Sequence, residues 1–194
     1  FVHNINVPWL KLAEEHNTFE YVKNMKEKGI TKKIGISFHD NSDLLEKFLD
    51  KYSDILDVVQ LELNYLDWED PVIEAHKCYD LCVKHGLDVY VMEPLKGGVI
   101  VNQPESINDD FKSFNPDKSI ASFAMRFCAS LEHVKMVLSG MNKMEDILDN
   151  IGSKVDNEYT ANSVHYEVGK EIRWNDAGKS TDSKQKPKRI RKGE

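Results

Sequence analysis

The sequence predicts an α/β fold with a parallel sheet, because three features occur together. Apolar, β-branched-rich runs of strand length recur, amphipathic helical patterns lie between them, and the two kinds of segment alternate along the chain. Short strands that alternate with helices of this size favour right-handed crossovers between parallel strands. The four runs are residues 33–38, 57–63, 88–93 and 134–140.

The helical segments carry their own start and stop signals. Asn41 or Ser42 is expected to cap the second helix. In the third, Pro71 is expected in the first turn and Gly86 just after the end. The five predicted helices cover residues 17–29, 41–52, 70–86, 119–130 and 142–152.

Two parallel architectures fit this alternation, a doubly wound sheet and a (β/α)8 barrel of the TIM type. The run at 57–63 favours the barrel, because Gln60, Glu62 and Asn64 alternate with apolar residues. Inward-facing side chains near the carboxyl ends of barrel strands line the active-site mouth, where polar groups are expected. We therefore predict that these three side chains approach that mouth.

Length and charge narrow the function classes. The 194 residues predict one domain, with two as the alternative, and a net charge of −7 argues against nucleic-acid binding by the main body. The basic residues concentrate in 179–194, which holds seven Lys and Arg and is predicted to be disordered. That tail is either a nuclear-import or nucleic-acid patch or, as we favour, a solvated tail or a terminus foreign to the rest of the protein.

The cysteines predict neither a disulfide framework nor a zinc site. Cys78 and Cys82 are spaced for one helix face, and Cys128 stands alone, so all three are expected in the core. Few cysteines and no recognisable signal peptide favour a cytoplasmic protein, and no apolar run is long enough to span a membrane.

Nucleotide-binding motifs of the common kinds are absent from the sequence. Neither G-x-G-x-x-G nor a P-loop occurs, and "EPLKGGVI" at 93–100 is the one glycine-rich candidate. Gly97 and Gly98 could let the backbone approach a phosphate, although an ordinary strand-to-helix turn would use the same residues.

Four motifs, in this order and spacing, resemble the aldo/keto reductases, and most of all the branch of that family that often carries an iron–sulfur segment. The resemblance covers about residues 1–151, and "FVHNIN" looks like the fourth barrel strand. It implies the carboxyl-terminal half of a (β/α)8 barrel, strands about four to eight, in 1–152, with 153–178 unassigned and 179–194 as the tail. The motifs are "KKIGISFHD", "VVQLELNYLD", "VYVMEPLKGG" and "VKMVLSGMNKMEDILDN".

The resemblance implies an oxidoreductase that reduces an aldehyde or ketone with NADPH or NADH. In that family a Tyr donates the proton, a Lys lowers the pKa of that Tyr, an Asp assists, and a His orients the carbonyl. His3 matches the His, so it is the predicted catalytic residue. The Asp, Tyr and Lys belong to earlier strands that match nothing here, so we expect this chain alone to be inactive.

The cofactor positions are better matched. Ser37 and Gln60 match residues that bind the nicotinamide carboxamide, and Met92 matches a position that often stacks on the nicotinamide ring. The predicted pyrophosphate segment contains Pro94, Leu95, Gly97 and Gly98, and the predicted adenosine end contains Gly140, Met141, Asn142, Asp149 and Asn150.

Two departures from the family pattern leave details open. Gly140 and Asp146 occupy positions where NADP-binding relatives place basic residues, and Lys143 is the basic residue nearby, so the choice between NADP and NAD stays open. The iron–sulfur segment needs four clustered cysteines, so we predict no cluster and no metal.

Two functional classes therefore remain. The first is a carbonyl reductase that is complete only with the missing half and takes a small-molecule carbonyl substrate. The second is a non-catalytic half-barrel remnant that binds nucleotide or a partner subunit. Open sheet edges also predict self-association.

Overall fold

The computed structural model describes residues 1–151. The chain divides into two compact units, the first comprising Phe1–Met92 and the second beginning at Glu93. The predictions for 153–178 and 179–194 lie outside the described residues. Within the described part, no helix is long and apolar enough to cross a membrane, and no group of three or more potential metal ligands occurs.

The first unit is a parallel four-stranded sheet in the order β1-β2-β3-β4, with helices between the strands. This confirms the predicted α/β class and the predicted strand alternation. A short 3-10 turn follows α3. The elements are β1 (Val2–Ile5), α1 (Val7–Glu15), α2 (Thr18–Glu27), β2 (Gly35–Phe38), α3 (Ser42–Tyr52), β3 (Val58–Glu62), α4 (Ala75–Lys84) and β4 (Asp88–Met92).

One face of this sheet is the core of the first unit. Strand residues alternate between faces, and helix α4 packs against β3 and β4. The residues of the covered face are between 0% and 2% exposed, namely Ile36, Phe38, Val59, Leu61, Val89 and Val91. Towards the carboxyl ends, the opposite face is only half-buried, at Gln60, Glu62, Tyr90 and Met92.

The capping alternatives of the second predicted helix are now decided. Asn41 is the N-cap of α3, because its side-chain oxygen accepts a hydrogen bond from the backbone N–H of Leu44 at 3.1 Å. Ser42 is the first helical residue instead.

The predicted start of the third helix is wrong. Helix α4 begins at Ala75, and Pro71 lies in a turn before it. Asp70 forms that turn, since its carboxylate accepts from the N–H groups of Val72 and Ile73 at 2.8 and 2.9 Å. Glu74 then adopts a left-handed conformation, which interrupts helical geometry.

Helix α1 was not predicted from the sequence. Asn6 caps it by accepting from the N–H of Trp9 at 3.1 Å, and Pro8 lies in its first turn. Its outer surface exposes Val7, Trp9 and Leu12, which blurs the apolar stripe that identifies a helix.

The second unit contains one strand and three helices within the described residues. Helix α5 was not predicted, and none of its residues is buried. Helix α6 supplies the core of this unit, where the ring of Phe123 contacts those of Phe111 and Phe114. The elements are α5 (Glu105–Phe114), α6 (Ile120–Ala129), β5 (Val134–Val137) and α7 (Met144–Asn150), preceded by a 3-10 turn at Lys96–Gly98.

The cysteines are core residues, as predicted. Cys78, Cys82 and Cys128 are all buried and free. Burial raises the pKa of the Cys78 thiol to about 12, and it also raises the pKa values of the other two thiols. Thiols in this state are poor nucleophiles, so we assign them no chemistry.

Candidate active site

The predicted site residues of the first unit meet at one edge of its sheet. In the parallel register, Ser37 on β2 lies opposite Gln60 on β3, which lies opposite Tyr90 on β4. Two residues further along, Glu62 lies opposite Met92. The carboxyl ends of parallel strands form this edge, which is where α/β folds place their ligand sites.

Strand β1 reaches this edge through a bulge. Val2 pairs with Ile36 and Ile5 pairs with Phe38, so three steps on β1 match two steps on β2. Asn4 takes up the extra residue with a φ of 59°, a left-handed conformation that Asn tolerates better than most residues. His3 immediately precedes this residue.

Ser37 on β2 forms a hydrogen bond to the bulge of β1. Its side chain is buried, with 2% exposure, and its Oγ accepts a hydrogen bond from the Asn4 backbone N–H at 2.8 Å. The same oxygen lies 3.3 Å from Nδ1 of His3. Ser37, which is predicted to bind the nicotinamide, is therefore in direct contact with His3, the predicted catalytic residue.

Gln60 and Met92 also contact each other. The Nε2 of Gln60 donates to the Sδ of Met92 at 3.3 Å, across the β3–β4 pair. A thioether is a weak acceptor, so a ligand carbonyl that offers a better acceptor could replace it. Gln60 is half-buried and lies on the open face of the sheet.

Asn64 does not line the open mouth, so that prediction is wrong. The residue is 0% exposed, and its side-chain oxygen accepts from the N–H groups of Leu66 and Asp67 at 3.0 and 2.9 Å. Its Nδ2 donates to the Asp67 carboxylate at 2.6 Å. Asn64 therefore forms the loop after β3, because Asn side chains readily bond to the backbone two or three residues ahead.

The imidazoles of His3 and His39 both lie at this edge of the sheet. His39 follows β2, and its backbone N–H donates to the Ile5 carbonyl at 2.8 Å. His39 is exposed as a whole, but partial desolvation of its ring lowers its pKa, and the nearby His3 lowers it further by charge repulsion. The edge therefore favours the neutral form of His39.

Aromatic rings that the sequence did not single out border this edge. The ring of Phe1 lies 6.1 Å from that of His3 and 5.8 Å from that of Tyr90. Tyr90 alternates with Val89 and Val91, which was the available signal that it shares a face with Gln60.

A cleft of about 370 Å³ opens beside this edge, between the ends of β2 and β3 and the segment before α4. None of the predicted cofactor or catalytic residues lines it. Its walls are Phe38, His39, Asp40, Asn41, Leu61, Glu62, Val72, Ile73 and Cys78.

The glycine-rich loop of the second unit is tightly wound. Glu93, Lys96, Gly97 and Gly98 all have positive φ angles, between 48° and 90°. The Glu93 carboxylate accepts from the Gly97 N–H at 2.7 Å. Pro94 and Leu95 lie within this turn, whose winding explains the requirement for two glycines.

The predicted adenosine-binding residues of the second unit lie around α7. Gly140, Met141 and Asn142 precede this helix, whereas two others already bond to protein. Asp149 accepts from Ser119 Oγ at 2.6 Å, and Asn150 donates to Ser139 Oγ at 2.9 Å.

The model of the aldo/keto reductase family matches residues 3–166. No curated protein gives a significant match.

Solved structures show the same fold at low identity. An aldo-keto reductase from Bacillus halodurans in its holo form is 17% identical, with a TM-score of 0.57, over 77% of this chain and 52% of that one. A thermostable aldo-keto reductase is 19% identical, with a TM-score of 0.56, over 69% and 47% of the two chains. One from Klebsiella pneumoniae in complex with NADP and acetate is 15% identical, with a TM-score of 0.52, over 69% and 46%.

The chain thus spans about half the length of the solved structures that it matches. The family model covers most of the chain, and the parallel sheet agrees with part of a (β/α)8 barrel. The chain belongs to the aldo/keto reductase family.

Proposed function

We propose that this chain supplies strands about four to eight of an aldo/keto reductase barrel, which reduces an aldehyde or ketone with NADPH or NADH. The barrel part is residues 1–152. In the complete barrel, His3 orients the substrate carbonyl while hydride arrives from the nicotinamide. The proton donor comes from strands that this sequence does not match.

One observation carries this proposal, namely the position of Gln60. Its amide lies on the half-open face of the sheet, opposite Ser37 in register and bonded only weakly to the Met92 sulfur. A carboxamide needs both a donor and an acceptor, and a Gln side chain offers both. Met92 is polarizable and adaptable, so it can cover the nicotinamide ring beside this amide.

The family resemblance supports the remaining cofactor roles. The turn from Pro94 to Gly98 is proposed to bind the pyrophosphate through its backbone. The residues proposed for the adenosine end are Gly140, Met141, Asn142, Asp149 and Asn150. Lys143 is the basic residue nearest to the expected 2′-phosphate position, so both NADP and NAD remain candidates.

The test is to substitute Gln60 with Ala in a barrel reconstituted with the amino-terminal strands of a family member. The substitution removes one or two hydrogen bonds, each worth about 0.5–1.5 kcal/mol. Affinity for NADPH or NADH, measured by fluorescence titration, should fall about tenfold, since ~1.4 kcal/mol equals one decade.

The matched control is Asn24→Ala, which removes an amide that bonds to Glu20 on α2. That variant should bind the cofactor as the parent does. If Gln60→Ala leaves cofactor affinity unchanged and lowers the melting temperature instead, Gln60 has a structural role and the proposal loses its main support.

The chain by itself is proposed to have no carbonyl reductase activity. A general acid–base group contributes typically ~10²–10⁴-fold to rate, and three of the family's four groups match no position here. NADPH oxidation with a panel of aldehydes and quinones should therefore give no turnover. Robust turnover that depends on the purified chain would overturn this part of the proposal.

A non-catalytic half-barrel that binds nucleotide or a partner is the second candidate. The half-buried row of Gln60, Glu62, Tyr90 and Met92 favours it, because apolar atoms on an open sheet face gain roughly 25 cal/mol per Å² when covered. Light scattering should then detect dimers or larger species. A cooperative monomer at tens of micromolar would argue against association through this face.

A further inference from the structure

We propose that Ser37 is a positioning residue for His3. Its hydroxyl donates to Nδ1 of the imidazole and so keeps the ring proton on Nε2, which becomes the nitrogen that can donate to a carbonyl oxygen. The catalytic meaning of this contact rests on the function proposed above, but the contact itself can be tested without it.

The number of donor and acceptor sites on the Ser37 hydroxyl determines which partner donates in the hydrogen bond between Ser37 and His3. A hydroxyl has one donor and two acceptor sites, and this one is buried with 2% exposure. The backbone N–H of Asn4 is a donor and occupies one acceptor site at 2.8 Å. A buried O–H is nearly always satisfied, and within the described residues the acceptor in reach is Nδ1 of His3 at 3.3 Å.

The tautomer of His3 follows because Ser37 is the donor in this hydrogen bond. A neutral imidazole carries its proton on one nitrogen and accepts at the other. Because Nδ1 accepts from Ser37, the proton resides on Nε2. The arrangement still leaves one acceptor site on the Ser37 oxygen, so contact with a carboxamide N–H stays compatible with the positioning role.

The backbone of β1 shows why this contact needs a buried side chain. The bulge between Val2 and Ile5 puts Asn4 in a left-handed conformation and removes its N–H from the regular ladder. Ser37 Oγ accepts that N–H and thereby stabilises the bulge beside the imidazole. Strained backbone persists only where the surroundings hold it, and such sites concentrate where function needs fixed geometry.

The experiment measures the tautomer of His3 directly in the full chain. Long-range ¹H–¹⁵N correlation spectra of ¹⁵N-histidine-labelled protein distinguish protonated from unprotonated ring nitrogens above the titration range of the ring. His3→Gln identifies the signals of His3 by their loss. In the parent chain, Nδ1 should give the signal of an unprotonated acceptor and Nε2 that of a protonated nitrogen.

Ser37→Ala should change the ratio of the two tautomers about fivefold, which is the ratio expected for a hydrogen bond of ~1 kcal/mol. Ser37→Thr retains a hydroxyl and should keep the parent signature. His39→Gln, at the other imidazole of this edge, is the matched control and should leave the His3 signals unchanged.

A protonated Nδ1 in the parent chain would overturn the proposal, and so would parent-like signals in a folded Ser37→Ala. If Ser37→Ala fails to fold, the parent and Ser37→Thr spectra still decide. Absence of cofactor binding would remove the proposed function but would leave this readout intact.

Discussion

The two faces of the first unit's sheet differ in what covers them. On the covered face, Val59 and Leu61 are almost inaccessible and pack among helices. On the other face, Gln60 and Glu62 from the same strand are half-buried and lie at the candidate site. Alternate residues of a single strand thus have different roles, because successive side chains point to opposite faces. One set packs in the core, and the other lies at the candidate site.

Leu61→Ala tests this division with the largest expected effect. Truncation of a fully buried Leu costs about 2–5 kcal/mol, because it removes transfer free energy and leaves a cavity. Urea unfolding followed by circular dichroism should show that loss. Gln60→Ala on the same strand is the control, and we expect a change of less than about 0.5 kcal/mol, the range of surface substitutions. Equal losses in the two variants would abolish the distinction between the faces.

Gly35→Ala tests how closely the amino ends of the strands pack. A Cβ at Gly35 would lie 2.6 Å from the Cγ1 of Val58 and 3.0 Å from the Val58 carbonyl oxygen. Overpacking of this kind costs about 1–3 kcal/mol, which urea unfolding would measure. Gly140→Ala is the matched control, because a Cβ there meets no atom within 4 Å. Similar stability of the two variants would mean that the strand ends adjust freely.

Glu74 is expected to have the smallest effect on stability. It precedes α4, which packs on the covered face of the sheet. Its bonds to Lys77 and then to Ser42 hold the pKa of its carboxyl down to about 2, compared with 4.5 for a free group. Because the folded pKa is lower, the ionised form stabilises the fold above pH 4.5, and that stabilisation is lost as the pH falls through about 2.

The check is the pH dependence of the free energy of unfolding. Glu74→Gln should flatten the acid slope of the parent chain, whereas Glu27→Gln at the end of α2 should keep it. If the slopes of the parent and Glu74→Gln coincide, then the contacts of Glu74 with Lys77 and Ser42 do not contribute to stability in solution.

The sequence by itself determined the alternation of strands and helices. The runs at 57–63 and 88–93 place β-branched residues where strands β3 and β4 form, and period-two alternation separates Gln60 from Leu61. These features are local, so they can be read without knowledge of neighbouring strands. The cap of α3 is also a local feature, which the sequence narrowed to Asn41 or Ser42, and the structure selected Asn41 through its bond to Leu44.

Helix α1 was missed because its exposed apolar residues obscure the amphipathic period. Helix α5 was missed although its sequence is amphipathic, and none of its residues is buried. Pro71 misled the prediction because it fits either a helix start or a turn, and the Asp70 side chain selected the turn. Asn64 was assigned to the mouth from alternation alone, whereas its own loop absorbed its hydrogen-bonding groups.

Only the tertiary structure decided which side chains meet at the edge of the sheet. Ser37 and His3 are 34 residues apart, and their contact depends on the pairing of β1 with β2 and on the bulge at Asn4. Register and bulges arise from pairing between distant segments, so no local pattern specifies them. The sequence therefore predicted the kinds of residue at the candidate site, and strand pairing determined that Ser37 contacts the His3 ring.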